Sequence, residues 1–165
     1  MDFIKAKKSD LNLILDIIKN AILKYEKENI FQWNSSYPSE QMILGDIINE
    51  FTYLIVEENN IIGFFVINNI CEDNVHNNVQ WLNQNSTFLI IHRLCIDVKS
   101  QNKGKGTEAL KNIISSFAFG KVRSVRVDVF SANFYAIHIY EKLGFTRLDE
   151  AICDRGKFYI YENIL

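Results

Sequence analysis

The residues with the clearest chemical potential lie in a short loop, Gln101 to Gly106, with the sequence Gln-Asn-Lys-Gly-Lys-Gly. An alternating apolar segment, residues 88–98, runs into this loop, and apolar residues at helical spacing follow it. The first turn of a helix leaves backbone N–H groups unpaired and carries the positive end of the helix dipole. Because the two glycines lack a Cβ and the two lysines are positively charged, the loop predicts a phosphate or pyrophosphate site. A glycine-containing loop that merely starts a helix is the alternative.

A second group of polar residues follows a predicted strand, residues 125–130, whose apolar residues alternate. Residues 131–133 are suited to start a helix, which is predicted over Phe134 to Leu143 and ended by Gly144. Asn133 and Tyr140 are seven positions apart, close to two helical turns, so their side chains project from nearly the same face. The helix therefore presents an amide and a phenol on one side.

These two motifs together resemble the GCN5-related N-acetyltransferase (GNAT) superfamily. The resemblance rests on the loop Gln101 to Gly106 after a strand, on Asn133 and Ala136, and on the hexapeptide Tyr-Glu-Lys-Leu-Gly-Phe from Tyr140 to Phe145. It implies an α/β protein with the acyl-CoA N-acyltransferase fold, in which helices flank a mixed central sheet and the fourth and fifth strands splay apart. It also implies a bacterial-type enzyme that transfers the acetyl group of acetyl-CoA to a primary amine of a small molecule or peptide, by direct attack on the thioester.

The resemblance also implies which residues hold the donor. Backbone groups of the fourth strand pair with the pantetheine arm, the glycine loop binds the pyrophosphate, and the N–H of Leu94 is the natural oxyanion donor. Cys95 is expected to be a small apolar strand residue, since a nucleophilic role requires a depressed thiol pKa. The cofactor-binding residues predicted in this way are Leu94, Cys95, Ile96, Gln101, Asn102, Lys103, Gly104, Lys105, Gly106, Thr107, Asn133 and Tyr140.

Tyr140 is the predicted acid for the departing thiolate. A tyrosine has a pKa of about 10 and a free thiol one of about 8.5, so complete proton transfer is uphill by roughly 2 kcal/mol. A hydrogen bond to the sulfur during departure is therefore the predicted role. The alternative is that Tyr140 only packs its helix against the sheet.

The general base is less clear, because residues 89–93 contain no carboxylate at the position where many relatives have a glutamate. His92 is the candidate, since alternation places it on the same strand face as Leu94 and Ile96 and its ordinary pKa suits proton transfer near neutrality. A structural histidine is the alternative. Arg93 is either an ion-pair partner or a ligand for a carboxylate of the acceptor.

An aromatic-rich loop between the first two predicted helices contains Trp33 and Tyr37. The Gln32-Trp33 and Tyr37-Pro38 pairs resemble a bacterial subgroup of the superfamily in which this segment borders the acceptor site. Trp33, Tyr37 and Arg93 are thus the predicted substrate-binding residues. The alternative is that the aromatic rings simply seal the helix pair onto the sheet.

The elements that must position these residues are predicted in the order strand, two helices, three strands, helix, strand, helix, and one or two strands. This mixed alternation is typical of an α/β sandwich. Residues 52–57 and 61–68 are predicted to form an antiparallel hairpin across a short polar turn. Residues 71–86 are rich in asparagine and are not assigned, and His76 and His138 are expected at the surface.

Composition limits the function classes. The 165 residues predict one domain, residues 1–165, with 48% hydrophobic residues and a net charge of −2. This charge offers no field for nucleic acid, and no apolar run is long enough for a membrane helix, so neither is a predicted partner. Three cysteines without paired spacing predict reduced thiols and no metal site, and an N-terminus without the apolar core of a signal peptide predicts a cytoplasmic protein. A homodimer is compatible with the resemblance.

Two functions from different classes remain at this point. The first is an acetyl-CoA-dependent N-acetyltransferase, which the intact loop and Tyr140 favour. The second is a catalytically silent acyl-CoA-binding module with a regulatory role, which the missing glutamate permits. Binding without turnover would separate the second from the first.

Overall fold

The computed structural model of the protein describes residues 1–71, 76, 78–84 and 87–165. Its elements alternate between strands and helices in the predicted order, with two strands at the end. The strands are β1 (Asp2–Lys5), β2 (Thr52–Glu57), β3 (Asn60–Asn68), β4 (Phe88–Ile96), β5 (Ser124–Phe130), β6 (Thr146–Cys153) and β7 (Gly156–Ile164). The helices are α1 (Leu11–Lys27), α2 (Glu40–Ile48), α3 (Lys105–Ile113) and α4 (Phe134–Lys142).

The strands form one mixed seven-stranded sheet in the order β1-β2-β3-β4-β5-β7-β6. Strands β1, β2 and β3 pair antiparallel, as do β5, β7 and β6. The parallel register between β4 and β5 runs from Phe88–Ser124 to Ile90–Arg126, whereas β4 continues to Ile96. The predicted fold class, a mixed sheet flanked by helices with limited pairing between the fourth and fifth strands, is confirmed.

The chain divides into two compact units, and β4 and α3 each run from one unit into the other. The first unit contains residues 1–67 and 92–109. Its helix α1 has apolar residues at helical spacing and buries Ile14, Ile17, Ile18 and Ala21. These side chains share a core with Phe64 of β3, because burying the apolar stripe of the helix removes it from water.

The β2–β3 hairpin shows how local sequence sets the frame of the first unit. Its strands are joined by Glu58 and Asn59, whose φ angles are 48° and 63°. Two central residues with positive φ are the mark of the turn that matches the twist of a two-residue hairpin, and asparagine accepts this conformation readily. The predicted antiparallel hairpin is confirmed by the pairing of Glu57 with Asn60.

Gly63 in β3 is required by close packing of the backbone. A Cβ at this position would lie 2.3 Å from the carbonyl oxygen of Cys95 and 3.0 Å from the Cα of Ile96. Any larger residue would therefore displace the end of β4, the segment that the sequence analysis assigns to the donor.

The second unit contains residues 68–91 and 110–165. Its strands bury alternate residues, including Val125, Val127 and Val129 of β5 and Ile160 of β7. Val79 and Trp81 of the β3–β4 connection pack with Phe158 and Ile160. These two side chains of the connection therefore belong to the core of the second unit, whereas Leu82 beside them is exposed.

Among the described residues, none of the helices combines the length and the apolarity needed to cross a bilayer.

Candidate active site

The glycine loop lies in the first unit between the end of β4 and the start of α3. The side-chain amide of Gln101 donates a hydrogen bond to the carbonyl oxygen of Ile96 (2.8 Å) and accepts one from Lys24 of α1. Asn102 and Gly104 have φ angles of 63° and 73°, so the chain turns twice through the left-handed region. Gln101 thus ties the beginning of the loop to the strand that precedes it.

The helix start leaves room for an anion. A Cβ added at Gly104 would meet no atom within 4 Å, and the first intrahelical bond runs from the N–H of Glu108 to the carbonyl of Gly104 (3.1 Å). The N–H groups of Lys105, Gly106 and Thr107, in the first turn of α3, precede that bond. They have the arrangement that binds phosphates at helix N-termini.

The charge of this loop differs from what the sequence suggests. Lys105 forms ion pairs with Glu57 of β2 (2.6 Å) and Glu108 (3.2 Å), and its hydrogen bond to Glu57 is the main reason why its pKa is raised. These carboxylates offset the charge that was expected to face a phosphate. Lys103 is exposed, and the first-turn backbone amides are the groups of the loop whose hydrogen-bonding capacity an anion could use.

Strand β4 is distorted at Arg93, whose φ angle is 51°. A left-handed conformation costs a non-glycine residue roughly 1–2 kcal/mol, so the surroundings must hold it. The buried guanidinium of Arg93 donates to Oδ2 of Asp46 in α2 (2.7 Å) and to the hydroxyl of Tyr37 (3.3 Å). Arg93 therefore forms the ion pair that was one of its two predicted roles. Its binding of an acceptor carboxylate stays a prediction.

The distortion changes the faces of β4. Regular alternation, which placed His92 on the same face as Leu94 and Ile96, is interrupted at Arg93, and His92 and Arg93 are both buried. Leu94 is half-buried just after the distortion. The N–H of Leu94, the predicted oxyanion donor, therefore follows directly after the residue at which the strand is distorted.

Cys95 is a structural residue in this strand. It is buried in the same core cluster as Trp33. Burial, assisted by the charge of Asp97, raises the pKa of the Cys95 thiol to about 12, so the thiolate is not formed near neutral pH. This agrees with the expected apolar role.

The two aromatic residues assigned to the acceptor differ in their surroundings. Trp33 is 8% exposed and packs in the core of the first unit with α1 and α2 residues. Tyr37 is half-buried beside Arg93 and packs against the same core. The structure thus brings Tyr37 and Arg93 together. Trp33 lies in the core, in agreement with the alternative that its ring packs the helices onto the sheet.

Helix α4 in the second unit is fixed at both ends by its own motif residues. At the start, the side-chain oxygen of Asn133 accepts a hydrogen bond from the N–H of Ala136 (3.1 Å). At the end, Gly144 has a φ of 83° and the N–H of Phe145 bonds to the carbonyl of Tyr140 (3.0 Å), while the two rings pack with centroids 5.4 Å apart. This is the Schellman ending of a helix, and it holds Tyr140 one turn from the end.

Tyr140 is buried, and its phenol is kept in the protonated form. Burial, followed by the negative charge of Asp128, raises the pKa of Tyr140 well above its usual range. The raised pKa makes complete proton transfer to a thiolate still less favourable than the sequence analysis assumed. The arrangement therefore suits a hydrogen-bond donor.

A buried charge cluster holds the β3–β4 connection on the second unit, and we call it the Glu162 clasp. The fully buried carboxylate of Glu162 in β7 accepts hydrogen bonds from Arg126 Nε (3.0 Å) and Ser124 Oγ (2.7 Å) of β5. It also accepts bonds from the N–H groups of Leu82 (2.7 Å) and Asn83 (3.2 Å). Nothing in the sequence patterns pointed to this cluster, since its members are far apart in the chain.

Two further residues of the second unit were missed or misplaced by the sequence analysis. The expectation that His76 lies at the surface is wrong, because its side chain is only 2% exposed. Its Nε2 lies 3.5 Å from Oδ1 of Asp128, and its ring packs edge-on against Trp81. The signal that could have identified Asp128 is the single carboxylate among the polar residues that alternate with valines in this strand. His138 is exposed, as expected.

Comparison with known proteins bears on this geometry. A model of the acetyltransferase (GNAT) family matches residues 20–145. Among solved structures, an acetyltransferase of the GNAT family from Streptococcus agalactiae 2603 has a TM-score of 0.85 at 22% identity, over 99% of this chain and 95% of that one. The PaiA N-acetyltransferase of Thermoplasma acidophilum, in complex with coenzyme A, has a TM-score of 0.69 at 18% identity, over 99% and 98%. The aminoglycoside acetyltransferase AAC(6')-Ib, in complex with coenzyme A, has a TM-score of 0.69 at 16% identity, over 98% and 93%.

A search among curated proteins finds no match to the sequence. The solved structures share the fold at low identity, and the family model covers most of the chain, including the glycine loop and the motif on α4. The chain belongs to the acetyltransferase (GNAT) family, whose acyl donor is acetyl-CoA.

Proposed function

We propose that this protein is an N-acetyltransferase that transfers the acetyl group of acetyl-CoA to a primary amine of a small molecule or peptide by direct attack on the thioester. The observation that carries the proposal is the loop from Gln101 to Gly106. It is anchored to the strand by Gln101, turned through Gly104, and open above the first-turn amides of α3. Membership of the family supports a thioester donor for this anion site.

The transfer needs a stabilised oxyanion and a good leaving group. We assign stabilisation of the oxyanion to the N–H of Leu94, which follows the left-handed residue Arg93. We assign stabilisation of the leaving thiolate to the phenol of Tyr140, which is held protonated and donates a hydrogen bond to the sulfur. Asn133 fixes the start of the helix that carries Tyr140. His92 stays a predicted base.

The proposed acceptor class is supported by two structural neighbours. One is an aminoglycoside acetyltransferase, and the other is the NatC complex bound to a Gag peptide and CoA, so we include amines of small molecules and of peptides. Tyr37 and Arg93 stay predicted acceptor contacts, and Trp33 contributes through packing. A cytoplasmic location and a homodimer also stay predictions.

The experiment that tests this proposal is a calorimetric titration of the purified protein with acetyl-CoA, with NADH and ATP as controls, followed by thiol-release assays with a library of primary amines. We expect selective micromolar binding of acetyl-CoA and release of free thiol that depends on an amine. Binding without thiol release from any amine would favour the silent acyl-CoA-binding module. Absence of acetyl-CoA binding would remove the donor assignment and the catalytic roles that depend on it.

A further inference from the structure

The left-handed turn at Arg93 determines the orientation of the proposed oxyanion donor. The peptide bond between Arg93 and Leu94 is planar, so the N–H of Leu94 rotates with the φ and ψ angles of Arg93. A strand residue ordinarily has a negative φ angle, whereas that of Arg93 is 51°. Any group that maintains this φ angle therefore also fixes the direction of the Leu94 N–H.

The part of β4 that follows the turn is fixed by β3, within the first unit. The N–H of Asp97 donates a hydrogen bond to the carbonyl oxygen of Ile62 (2.8 Å). Gly63 lets the two backbones approach so closely that a Cβ there would lie 2.3 Å from the carbonyl oxygen of Cys95. The strand is thus anchored shortly after the turn, and the support of the turn itself comes from another element.

Helix α2 supplies a buried carboxylate at the turn. Asp46 lies on the core-facing side of this helix, where Ile43 and Ile47 pack in the core of the first unit. Its Oδ2 accepts a hydrogen bond of 2.7 Å from Nη2 of Arg93. The side chain of Arg93 is 2% exposed and that of Asp46 12%, so water does little to weaken the bond. The pair therefore links α2 firmly to the distorted residue of β4.

The helix that carries this carboxylate is fixed at its start and along its apolar side. The Oγ of Ser39 accepts a hydrogen bond from the N–H of Met42 (3.2 Å), which caps the first turn. Ile43 and Ile47 share a core with Phe64 of β3. Since α2 and the end of β4 are both fixed to β3, the carboxylate is held at a constant position beside the turn.

A carboxylate on the core side of a helix calls for a physical reason. Burying a charged pair is costly, and apolar residues of similar size in its place are often as stable or more stable. Apolar side chains at positions 46 and 93 could fill the same space, but they would not hold a left-handed residue inside a strand. A glycine at position 93 would accept the positive φ angle without enforcing it. The conformation of the turn is therefore what the ion pair provides.

We propose that Asp46 is a positioning residue for acetyl transfer, which holds the left-handed turn at Arg93 and so orients the N–H of Leu94 toward the developing oxyanion. This inference rests on the proposed function, in which that N–H is the oxyanion donor. It gives Arg93 a role in the conformation of the strand, in place of the predicted role as a ligand for an acceptor carboxylate.

The proposal separates turnover from donor binding. The glycine loop is anchored independently of the turn, through the hydrogen bond from Gln101 to the carbonyl oxygen of Ile96 (2.8 Å). Loss of the ion pair should therefore lower kcat and leave the KM for acetyl-CoA nearly unchanged. An oxyanion donor typically contributes about 100- to 1,000-fold to kcat, and a displacement of about 1 Å can remove much of that contribution.

The first test follows the backbone amide of Leu94 by NMR in the isotopically labelled full chain, with acetyl-CoA and CoA as the two probes. Only acetyl-CoA has the thioester oxygen, so we expect the amide proton of Leu94 to move downfield with acetyl-CoA relative to CoA. We expect Asp46→Asn to lose most of this difference, while calorimetry shows nearly wild-type affinity for both ligands. In the same variant kcat should fall by about 10- to 100-fold.

A second test separates the backbone role of Arg93 from a role as an acceptor ligand. Arg93→Gly and Arg93→Ala both remove the guanidinium, but only glycine adopts a positive φ angle without cost. Each is combined with Asp46→Asn, so that neither protein retains an unpaired buried charge. Turnover is thiol release from saturating acetyl-CoA with hydroxylamine, which has no carboxylate for Arg93 to bind, and with the library of primary amines. We expect the glycine variant to keep a kcat about 10-fold above that of the alanine variant.

Matched controls are available in the same helix. Ile47→Ala removes core packing next to Asp46 and leaves both members of the ion pair in place. It should lower the temperature of unfolding and keep the wild-type kcat and the wild-type response of the Leu94 amide. Asp46→Glu keeps the charge and should retain more turnover than Asp46→Asn. Thermal unfolding of each variant shows whether a loss of turnover comes from a loss of fold.

Three results would overturn the inference while the donor assignment stands. They are a wild-type response of the Leu94 amide in a folded Asp46→Asn, an equal kcat in the glycine and alanine variants, and a loss of kcat in Ile47→Ala as large as in Asp46→Asn. A wild-type protein that binds acetyl-CoA without any acetyl-dependent response at Leu94 would also overturn it. Failure of the wild type to bind acetyl-CoA would instead remove the proposed function itself.

Discussion

The backbone conformation of Arg93 is unfavourable by itself and is stabilised by the contacts of its side chain. Arg93 adopts a left-handed conformation inside a strand, and its guanidinium is held by Asp46 and Tyr37. The cost of such a conformation is of the order of 1 kcal/mol or more, comparable with one good charged hydrogen bond. The backbone of Arg93 therefore distorts β4, and its side-chain hydrogen bonds stabilise the distorted conformation.

Tyr140→Phe tests the proposed donor at the scale of one hydroxyl group. The ring contacts to Phe145 and Tyr161 remain, so the helix should stay in place. We expect turnover to fall by about 100-fold with little change in acetyl-CoA affinity, because the hydrogen bond to sulfur is made mainly as the thiolate departs. Steady-state kinetics and calorimetry measure the two quantities. Tyr135→Phe is the exposed control on the same helix, and unchanged turnover in Tyr140→Phe would remove the phenol from the reaction.

Gly104→Val tests the anion site, and Gly120 provides a matched control. Both glycines have φ angles near 70° with open space at the Cβ position, so valine introduces similar backbone strain at each. Only position 104 adjoins the first turn of α3, since it directly precedes Lys105. We expect Gly104→Val to lose at least 10-fold in acetyl-CoA affinity and Gly120→Val to bind normally, as measured by calorimetry. Equal affinities would mean that the loop is not the pyrophosphate site.

At the scale of elements, short sequence motifs determine where a helix begins and ends, and tertiary contacts determine where a connection lies in the fold. Asn133 begins α4 and Gly144 ends it, both through hydrogen bonds within a few residues. The β3–β4 connection is different, because the groups that hold it come from β5 and β7. Val79 and Trp81 of this connection pack in the second core, although most of its sequence is polar.

Glu162→Gln tests the clasp that holds this connection. The substitution leaves Arg126 buried without its charged partner, which is the most costly way to break a buried ion pair. We expect the free energy of unfolding to fall by about 3–5 kcal/mol and amide exchange at Leu82 and Asn83 to become faster. Glu150, which pairs with Arg147 and Lys157 at the surface, is the comparison, since Glu150→Gln should leave the free energy of unfolding nearly unchanged. Equal losses in the two variants would show that the clasp adds no special stability.

At the scale of the whole molecule, buried phenols couple stability to alkaline pH. Burial, followed by the hydrogen bond that Tyr161 donates to Glu141 (3.0 Å), raises the pKa of Tyr161 to about 12. In the unfolded chain a tyrosine ionises near pH 10, so the unfolded state loses its proton first as the pH rises. The contribution of Tyr161 is therefore complete below about pH 10 and is lost between about pH 10 and the folded pKa.

Urea unfolding between pH 8 and 12 measures this dependence. We expect the wild type to lose stability across the upper part of the range, and Tyr161→Phe to lose less because it has one fewer buried phenol to ionise. Tyr135→Phe, at a position that is 40% exposed, should follow the wild type. A Tyr161→Phe curve parallel to that of the wild type would contradict the assignment.

The elements and the donor loop were determined by the sequence itself, because their signals are local. Apolar spacing predicted the helices and strands, and the polar residues Glu58 and Asn59 predicted the hairpin. The glycine loop, together with Tyr140 and Gly144, predicted the family. Each of these signals acts over a few residues, through turn conformation, helix capping or one buried face.

Only the tertiary structure decided what those elements bring together. The pairing of Lys105 with Glu57, the left-handed turn at Arg93 and the burial of His76 against Asp128 join residues from separate elements. Charge pairing and burial depend on distance in space, which alternation and spacing along the chain do not encode. The sequence therefore predicted the loop at which the donor is proposed to bind, and the fold decided which carboxylate and which imidazole meet.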